Sequence, residues 1–291
     1  MADVNINWYP GHMAKAKNEL INEIKLVDLV IEIKDARIPI SSTNPMVDEI
    51  AKNKPRLILL NKALMADANV TKEWIDYYNK EGIIALDIDC IAKYNINKIE
   101  KYAKLALKEV FEKRKSRGIK GEQIKAMIIG IPNVGKSTLI NTLANKKKTV
   151  VGNKPGVTKI ISWIKATEDL FILDTPGILW PKFSDEIGVN LAICGSIRDD
   201  ILNIDDVLVK SLDYIKVNYK DMLMKKYDLE YLEEDSYKII EEIALKKGML
   251  LQGAKVDFMR AVTMIINDLR SVKVGRISYE RPGIWYLRNR K

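Results

Sequence analysis

The spacing of hydrophobic residues changes character once along the chain. From residue 13 to 175, short apolar runs alternate with stretches of helical spacing, which predicts an α/β domain built on a mostly parallel sheet flanked by helices. Runs that are apolar at nearly every position are typical of strands covered on both faces. The predicted strands are Val27–Ile33, Arg56–Leu60, Ile83–Ile88, Ala126–Ile131 and Leu170–Leu173, with a weaker one at Ile160–Ile164, and the predicted helices are 13–26, 70–81, 96–115 and 136–144.

Helical spacing without strand-like runs continues from residue 184 to 271. We therefore predict two domains, an α/β domain at 1–180 and an all-helical domain at 181–291. The segment Gly177–Ser184 contains Gly and Pro, and we expect it to be the linker and a moving joint. Breaks in the helical pattern are predicted at Gly188, Gly248 and Gly253.

Charge adds an expectation about partners. The 291-residue chain has 48 Lys and Arg against 39 Asp and Glu, a net charge of +9 that favours a polyanionic partner. The surplus is local, because the segments 101–125, 142–165 and 270–291 each have six more basic than acidic residues, whereas 199–242 has seven more acidic ones. A charged run is usually a solvated face, and this interpretation stays open for 101–125.

Cysteine content and hydropathy bear on the compartment. Cys90 and Cys194 lie far apart, so the sequence shows neither a disulfide framework nor a thiolate zinc site, which suits a reducing compartment. No apolar stretch approaches the roughly 18 residues that mark a membrane span, and the N-terminus has no export pattern. We expect a cytoplasmic protein without a membrane partner.

The strongest chemical motif is Gly130-Ile-Pro-Asn-Val-Gly135-Lys136-Ser137, which has the spacing G-x-x-x-x-G-K-S between a predicted strand and a predicted helix. In such a phosphate loop the glycines let backbone amides approach phosphate oxygens, Lys136 reaches the outer phosphates and the Ser137 hydroxyl ligates Mg²⁺. The alternative is a chance match, against which the flanking strand and helix argue. The predicted nucleotide contacts of the loop are Asn133, Val134, Gly135, Lys136, Ser137 and Thr138.

A second element is Asp174-Thr-Pro-Gly177, at the end of a predicted strand downstream of the phosphate loop. Asp174 is expected to hold Mg²⁺ through water, and the Gly177 amide is expected to meet the γ-phosphate. Alone, this sequence is also an ordinary turn after a strand. Between the two motifs, Lys154-Pro-Gly-Val-Thr158 predicts a mobile loop whose Thr158 closes on the metal and the γ-phosphate, although Pro-Gly is itself a common turn.

A third element is Asn61-Lys62, which follows an apolar strand and is similar to the guanine-recognition motif N-K-x-D of GTPases. It differs in preceding the phosphate loop and in having Leu64 at the Asp position. Because leucine accepts no hydrogen bond from a base, we expect weakened discrimination of GTP over ATP with phosphate binding retained. Asp67 is an alternative acceptor, and a second base-contact segment is expected near Asp89-Cys90-Ile91.

The order of base motif, phosphate loop, Thr loop and D-x-P-G resembles that of circularly permuted GTPases. Over its whole length the chain resembles the ribosome biogenesis GTPase A (RbgA/YlqF) family, including a C-terminal helical domain. The further segments that carry the resemblance are Trp8-Tyr-Pro-Gly-His12-Met-Ala-Lys15-Ala, Asp35-Ala-Arg37-Ile-Pro39 and Asp174-Thr-Pro-Gly-Ile-Leu-Trp180-Pro-Lys182.

The resemblance implies a GTPase that binds GTP and GDP with Mg²⁺, assists late assembly of the large ribosomal subunit, binds ribosomal RNA and is stimulated by the pre-ribosomal particle. It also implies that His12 is the catalytic group, since Ile178 stands where many GTPases have a water-orienting Gln. A capping or packing role is the alternative for His12.

Two further implications concern single motifs. The resemblance associates Asn133 with K⁺ coordination, whereas a turn-stabilising role remains open. Asp35 and Arg37 match the family's Asp-Ala-Arg element, and we assign them no catalytic role because charges at strand ends often form a structural pair.

The C-terminal segment interleaves cationic and aromatic residues, which suits phosphate contact with base stacking. This suits RNA contact, and the resemblance implies the precursor of the large ribosomal subunit and its rRNA as partners. We also expect a monomer when free and a linker that couples nucleotide state to the position of the helical domain. Two alternatives stay open: a nucleotide-gated RNA-binding scaffold with weak hydrolysis, and a different permuted GTPase acting on other RNA. The residues concerned are Arg276, Tyr279, Arg281, Trp285, Tyr286, Arg288, Arg290 and Lys291.

Overall fold

The structure is a computed structural model that describes residues 4–5, 20–51, 53–119, 121–144, 163–174, 182–199 and 201–283. Its strands are β1 (Val4–Asn5), β2 (Leu29–Asp35), β3 (Arg56–Asn61), β4 (Ile84–Asp87), β5 (Ile124–Ile129), β6 (Trp163–Lys165), β7 (Leu170–Asp174) and β8 (Lys182–Phe183).

Six strands form the central sheet in the order β4-β3-β2-β5-β7-β6. The first five are parallel, and only β6 runs antiparallel, to its neighbour β7. This mostly parallel sheet confirms the predicted fold class. Strand β5 pairs with β2 even though most of the α/β region separates them in sequence, so the chain order of the strands differs from their spatial order.

All five strong strand predictions are confirmed, with ends shifted by one or two residues. The clearest shift is in β2, which starts at Leu29 and continues to Asp35 because Lys34 and Asp35 still pair with Leu60 and Asn61 of β3. In β5 the strand starts at Ile124 and ends before Gly130. Of the weaker strand, residues 160–162 lie outside the described residues, and Trp163–Lys165 is a strand.

The helices that lie wholly within the described residues are α1 (Pro45–Ile50), α2 (Ala68–Lys80), α3 (Ile99–Ala106), α4 (Lys108–Ser116), α5 (Lys136–Leu143), α6 (Asp185–Ile193), α7 (Ile204–Asn218), α8 (Lys220–Tyr227), α9 (Ser236–Lys246) and α10 (Phe258–Arg270). Short 3-10 turns lie at Ile24–Leu26, Ala63–Met65 and Ile96–Lys98. Residues 20–23 are helical, and the rest of the helix predicted at 13–26 up to residue 19 lies outside the described residues.

Two helix predictions are wrong in detail. The stretch 96–115 is not one helix, because the chain turns at the fully buried Leu107 and starts α4 there. Gly188 is not a break but an interior residue of α6, where a Cβ would lie 3.0 Å from the Phe183 ring. Gly248 and Gly253 do lie in a break of the helical pattern, since both have a positive φ and belong to the connection from α9 to α10.

The α/β and helical regions share one hydrophobic core. A single cluster of buried side chains runs from Leu29 and Ile31 of β2 to Leu212 of α7 and Ile265 of α10. The end of the predicted linker is itself structured, because Lys182 and Phe183 pair with Asn5 and Val4. The helical region is therefore packed against the sheet, and Lys182–Phe183, within the segment predicted to be a moving joint, form a short strand.

Residues after α10 fasten the two regions together through Glu280. Its buried carboxylate accepts hydrogen bonds from the backbone N–H groups of Ile40 and Ser41, the Ser41 hydroxyl and the Asn190 amide. Its backbone carbonyl accepts from the Trp74 indole N–H at 3.0 Å. Burial raises the pKa of Glu280 to about 7, although these donors act in the opposite direction.

No helix in the described ranges is long and apolar enough to span a lipid bilayer.

Glu280→Gln should change how stability depends on pH. The folded-state pKa of Glu280 lies above its ordinary value of 4.5, so the wild type loses its contribution as the pH rises from 4.5 through about 7. We expect the difference in free energy of unfolding, wild type minus variant, to fall by about 3 kcal/mol over that range. Urea unfolding at several pH values measures it. Glu81→Gln, at an exposed position, is the control, and parallel pH profiles for wild type and Glu280→Gln would contradict the prediction.

Candidate functional site

The predicted motifs meet because parallel strands present their carboxyl ends at one edge of the sheet. The phosphate loop leaves β5 at Gly130, the Asp-Ala-Arg element starts at the end of β2, and Asn61-Lys62 ends β3. Since β2 lies between β5 and β3, Asp35 stands between the phosphate loop and the base motif. Asp174 ends β7 and pairs with Ile128 on the other side of β5.

The phosphate loop has the backbone that its sequence predicts. Gly135 precedes α5 with φ 108°, and Asn133 also has a positive φ of 58°. A Cβ on Gly135 would lie 2.2 Å from the Asn61 amide nitrogen, and one on Gly130 would lie 2.7 Å from the Ile33 carbonyl oxygen. Both glycines are therefore required by close contacts with neighbouring strands as well as by the approach of phosphate.

Lys136, the first residue of α5, is buried, and its ammonium donates to the carbonyl oxygens of Gly130 and Ile131 at 3.0 Å each. Ser137 and Thr138 follow in the first helical turn and are exposed. A helix N-terminus of this kind carries partial positive charge and free N–H groups, which suit an anionic phosphate.

Asn61 joins the base motif to the phosphate loop. Its side-chain amide nitrogen donates to the Val134 carbonyl at 2.7 Å, and its amide oxygen accepts from the Cys90 N–H at 3.0 Å. One buried side chain thus connects the phosphate loop with the segment expected to be the second base contact. Burial raises the pKa of the Cys90 thiol to about 12, with a further contribution from the charge of Asp89, so this thiol stays protonated near neutral pH.

Asp35 is fully buried and holds two cations at this edge. Its carboxylate accepts from the Arg37 backbone N–H, Nε and Nη2 at 2.8–3.0 Å and lies 2.9 Å from the Lys62 ammonium. Burial alone would raise the pKa of Asp35, but the charges of Arg37 and Lys62 and their hydrogen bonds outweigh it and hold the pKa well below its ordinary range. From the sequence, Asp35 and Arg37 were expected to form a structural pair without a catalytic role, and the sequence did not show that Lys62 joins them.

The helical region contacts the nucleotide edge at the turn after α6. Arg37 Nη2 donates to the Cys194 carbonyl at 3.0 Å, and the Asn133 amide nitrogen donates to the Ser196 carbonyl at 3.3 Å. The Tyr279 N–H donates to the Arg37 carbonyl at 2.9 Å. Sequence reasoning missed these contacts, because their partners are backbone carbonyls far along the chain.

Asp67, the alternative acceptor to the one missing at Leu64, is engaged in the fold. The Asp67 carboxylate caps α2 by accepting from the Asn69 and Val70 N–H groups, and its second oxygen accepts from the Tyr219 hydroxyl at 3.2 Å. Both oxygens are therefore used in holding the fold. Asp89 is likewise engaged, since it accepts from the backbone N–H groups of Ile91 and Ala92.

Several predicted site residues lie outside the described part of the chain. They are His12, Thr158 and Gly177, and the structure describes only the backbone of Asp174. The predicted Mg²⁺ ligands Ser137 and Asp174 follow adjacent parallel strands, and their hard oxygen donors fit this ion.

The predicted RNA surface is only partly accessible. Tyr279 is buried at the junction, which removes it from base stacking, and Arg281 lies 3.5 Å from Glu73. Arg276 is exposed, as are most of the basic residues of α4. The other basic and aromatic residues named for this surface, 285–291, lie outside the described residues.

Comparison with known proteins agrees with this arrangement. A family described as 50S ribosome-binding GTPase matches residues 125–247. The match starts in β5 and leaves out Asn61-Lys62, as expected when the base-recognition strand precedes the phosphate loop.

Full-length relatives and solved structures extend the match. Ribosome biogenesis GTPase A of Bacillus licheniformis is 48% identical over 95% of this chain and 98% of its own, and that of Thermotoga maritima is 32% identical over 95% of each. The crystal structure of GNP-bound YlqF from T. maritima has a TM-score of 0.63 at 27% identity, covering 92% of this chain and 99% of that one. A GDP-bound YlqF structure gives 0.64 at 26% identity, covering 91% and 99%. The chain therefore belongs to the ribosome biogenesis GTPase A family of circularly permuted GTPases.

Proposed function

We propose that this GTPase assists late assembly of the large (50S) ribosomal subunit and that the subunit precursor and its rRNA stimulate its hydrolysis of GTP. The observation that carries the proposal is the contact of Asn133, in the phosphate loop, with the Ser196 carbonyl of the helical region. A region that binds the precursor is thereby in direct contact with the loop that holds the phosphates. The family names of the relatives supply the ribosomal partner.

We assign the nucleotide contacts by position. Residues Asn133, Val134, Gly135, Lys136, Ser137 and Thr138 surround the phosphates, and Asn61 and Lys62 face the base. The oxygen donors of Ser137, Thr158 and Asp174 suit Mg²⁺, which neutralises charge on the outer phosphates when bound. The Gly177 amide contacts the γ-phosphate. K⁺ would use the amide oxygen of Asn133, since the amide nitrogen is already bonded to Ser196.

The proposal includes the division into a GTPase domain at 1–180 and a ribosome-binding helical domain at 181–291, acting as a monomer in the cytoplasm. Coupling between them passes through the packed junction as well as the linker. GTP hydrolysis in the assembling particle then releases the protein. Turnover of GTP with and without large-subunit precursor particles tests this function, and equal rates would refute it.

A second candidate is a nucleotide-gated RNA-binding assembly scaffold with weak hydrolysis and relaxed base specificity. The engagement of Asp67 in the fold favours it, because the Asp67 carboxylate is then occupied by other partners at the point where Leu64 lacks one. Under this candidate, precursor binding depends on nucleotide while turnover stays at its unstimulated rate in the same assay.

Leu64→Asp should restore guanine selectivity. A carboxylate at this position accepts hydrogen bonds from guanine and not from adenine, and each charge-assisted bond contributes about 1.5–3 kcal/mol. We expect the ratio of GDP to ADP affinity to rise at least tenfold, measured by titration calorimetry. Met65→Asp adds the same charge one residue away and should leave the ratio unchanged. A thousandfold preference for GDP in the wild type would contradict the premise.

His12→Ala should remove most of the particle-stimulated turnover and leave GDP affinity unchanged. A group that orients or deprotonates the attacking water contributes about 10²–10⁴-fold, and stimulated turnover should fall within that range. Single-turnover hydrolysis with precursor particles is the measurement, and Met13→Ala is the matched control. Wild-type rates in His12→Ala would exclude His12 from the reaction.

Deletion of residues 284–291 should weaken binding to the precursor particle and leave GDP affinity unchanged. Val274 and residues 277–280 are buried in the packed junction, so the cut belongs after Gly283. Loss of Arg288, Arg290 and Lys291 should lower the salt dependence of binding, as log affinity against log salt, by up to about 3. Lys220→Gln with Lys238→Gln and Lys247→Gln removes the same charge elsewhere. An equal effect of both variants would show that only net charge matters.

A further inference from the structure

Asp35 makes side-chain contacts beyond those of its strand. It ends β2, where its backbone N–H donates to the Ser42 hydroxyl and its backbone pairs with that of Asn61 in β3. The carboxylate is fully buried, and among the described residues its partners are Arg37, through the backbone N–H and the guanidinium, and the Lys62 ammonium.

The Asp35 carboxylate binds two cations, Arg37 and Lys62. Arg37 binds through Nε and Nη2, a forked arrangement that fixes the carboxylate plane. Lys62 approaches the same oxygen as Nη2, with a side chain about one-fifth exposed and a backbone in the left-handed region at φ 61°. Lys62 is therefore part of the base motif in sequence and a partner of the buried Asp35–Arg37 pair through its ammonium.

Arg37 carries the connection to the helical region. The Nη2 atom that binds Asp35 also donates to the Cys194 carbonyl, and the Arg37 carbonyl accepts from Tyr279. The turn Cys194–Ser196 also receives the Asn133 hydrogen bond from the phosphate loop. One turn of the helical region thus touches both the base motif's ion pair and the phosphate loop.

We propose that Asp35 is a positioning residue for nucleotide binding: it fixes the Lys62 ammonium at the base site and, through Arg37, links the position of Lys62 to the turn Cys194–Ser196. The link rests on the proposed assignment of Lys62 to the base site. Nucleotide binding should then reduce the mobility of the turn Cys194–Ser196. Displacement of this turn by a bound particle should lower the affinity for the nucleotide base, because coupling between two sites is reciprocal.

A merely structural ion pair gives a different result from a positioning one. Removing a structural pair lowers stability and affects all nucleotides alike. A positioning residue affects ligands that carry a base and leaves alone those that contact only the phosphate loop. The comparison of GDP with inorganic pyrophosphate separates the two, since both use the phosphate loop and only GDP reaches Lys62.

The first test uses Asp35→Asn in the full chain. We expect GDP affinity to fall at least tenfold and pyrophosphate affinity to stay within twofold of wild type. The matched control is Asp268→Asn, because Asp268 is also buried and lies 3.4 Å from two cations, Lys226 and Lys273. An equal loss for GDP and pyrophosphate, unchanged GDP affinity, or the same base-selective loss in the control would each overturn the proposal.

The second test does not depend on the folding of Asp35→Asn. Hydrogen exchange of a peptide covering residues 194–196 should slow when GDP binds the wild type, and Arg37→Lys should abolish the slowing, because lysine lacks the fork that reaches both Asp35 and Cys194. An exchange rate in the wild type that is the same with and without GDP would overturn the proposed link between Lys62 and the turn Cys194–Ser196. Lys62→Ala separates the assignment of Lys62 to the base site from the positioning role of Asp35. Unchanged GDP affinity in Lys62→Ala would refute the base-site assignment. Loss of GDP affinity in Lys62→Ala but not in Asp35→Asn would refute only the positioning role of Asp35.

Discussion

A carboxylate that is buried away from water must be surrounded by cations or hydrogen-bond donors. The buried carboxylate of Asp35 meets this requirement at the nucleotide-binding edge of the sheet, and its partners shape that edge. Removing an isolated ionised carboxylate from water is unfavourable, so burial is possible only with close partners. Asp35 obtains them from its own loop, through Arg37, and from the neighbouring strand, through Lys62. The need to satisfy one charge therefore fixes the loop after β2, the ammonium of the base motif and the guanidinium that reaches the helical region.

The helical region is held by the same kind of constraint. Glu280 is buried between Ser41 and Asn190 and satisfied by hydrogen-bond donors. Around these polar contacts, apolar side chains of both regions form one cluster, so separating them would expose core surface. This packing explains why the two regions that the sequence predicts as separate domains share one hydrophobic core. It also places the turn after α6, and with it the Ser196 carbonyl, against the phosphate loop.

The permuted order of the motifs still brings the base motif and the phosphate loop to one edge of the sheet. The phosphate-loop strand β5 is late in the chain but central in the sheet, and the base-motif strand β3 precedes it in sequence and lies two places away in space. What matters for the chemistry is that the carboxyl ends of the parallel strands meet at one edge. Chain order affects which segments become termini, and here it places the His12 segment near the start of the chain.

The amino-acid sequence by itself determined the strands, the mostly parallel sheet, the phosphate loop and the permuted motif order, because these follow from local spacing of apolar residues, glycines and short motifs. It missed the division of the helix at Leu107, the interior position of Gly188 and the burial of Tyr279. It also did not show that Asp67 is engaged with α2 and Tyr219, or that Lys62 joins the pair of Asp35 and Arg37. Those points were decided by the tertiary structure, since burial and hydrogen bonding depend on partners such as Tyr219 and Cys194 that are distant in sequence. Local patterns specify which groups are present, and only packing specifies which of them remain free to bind a ligand.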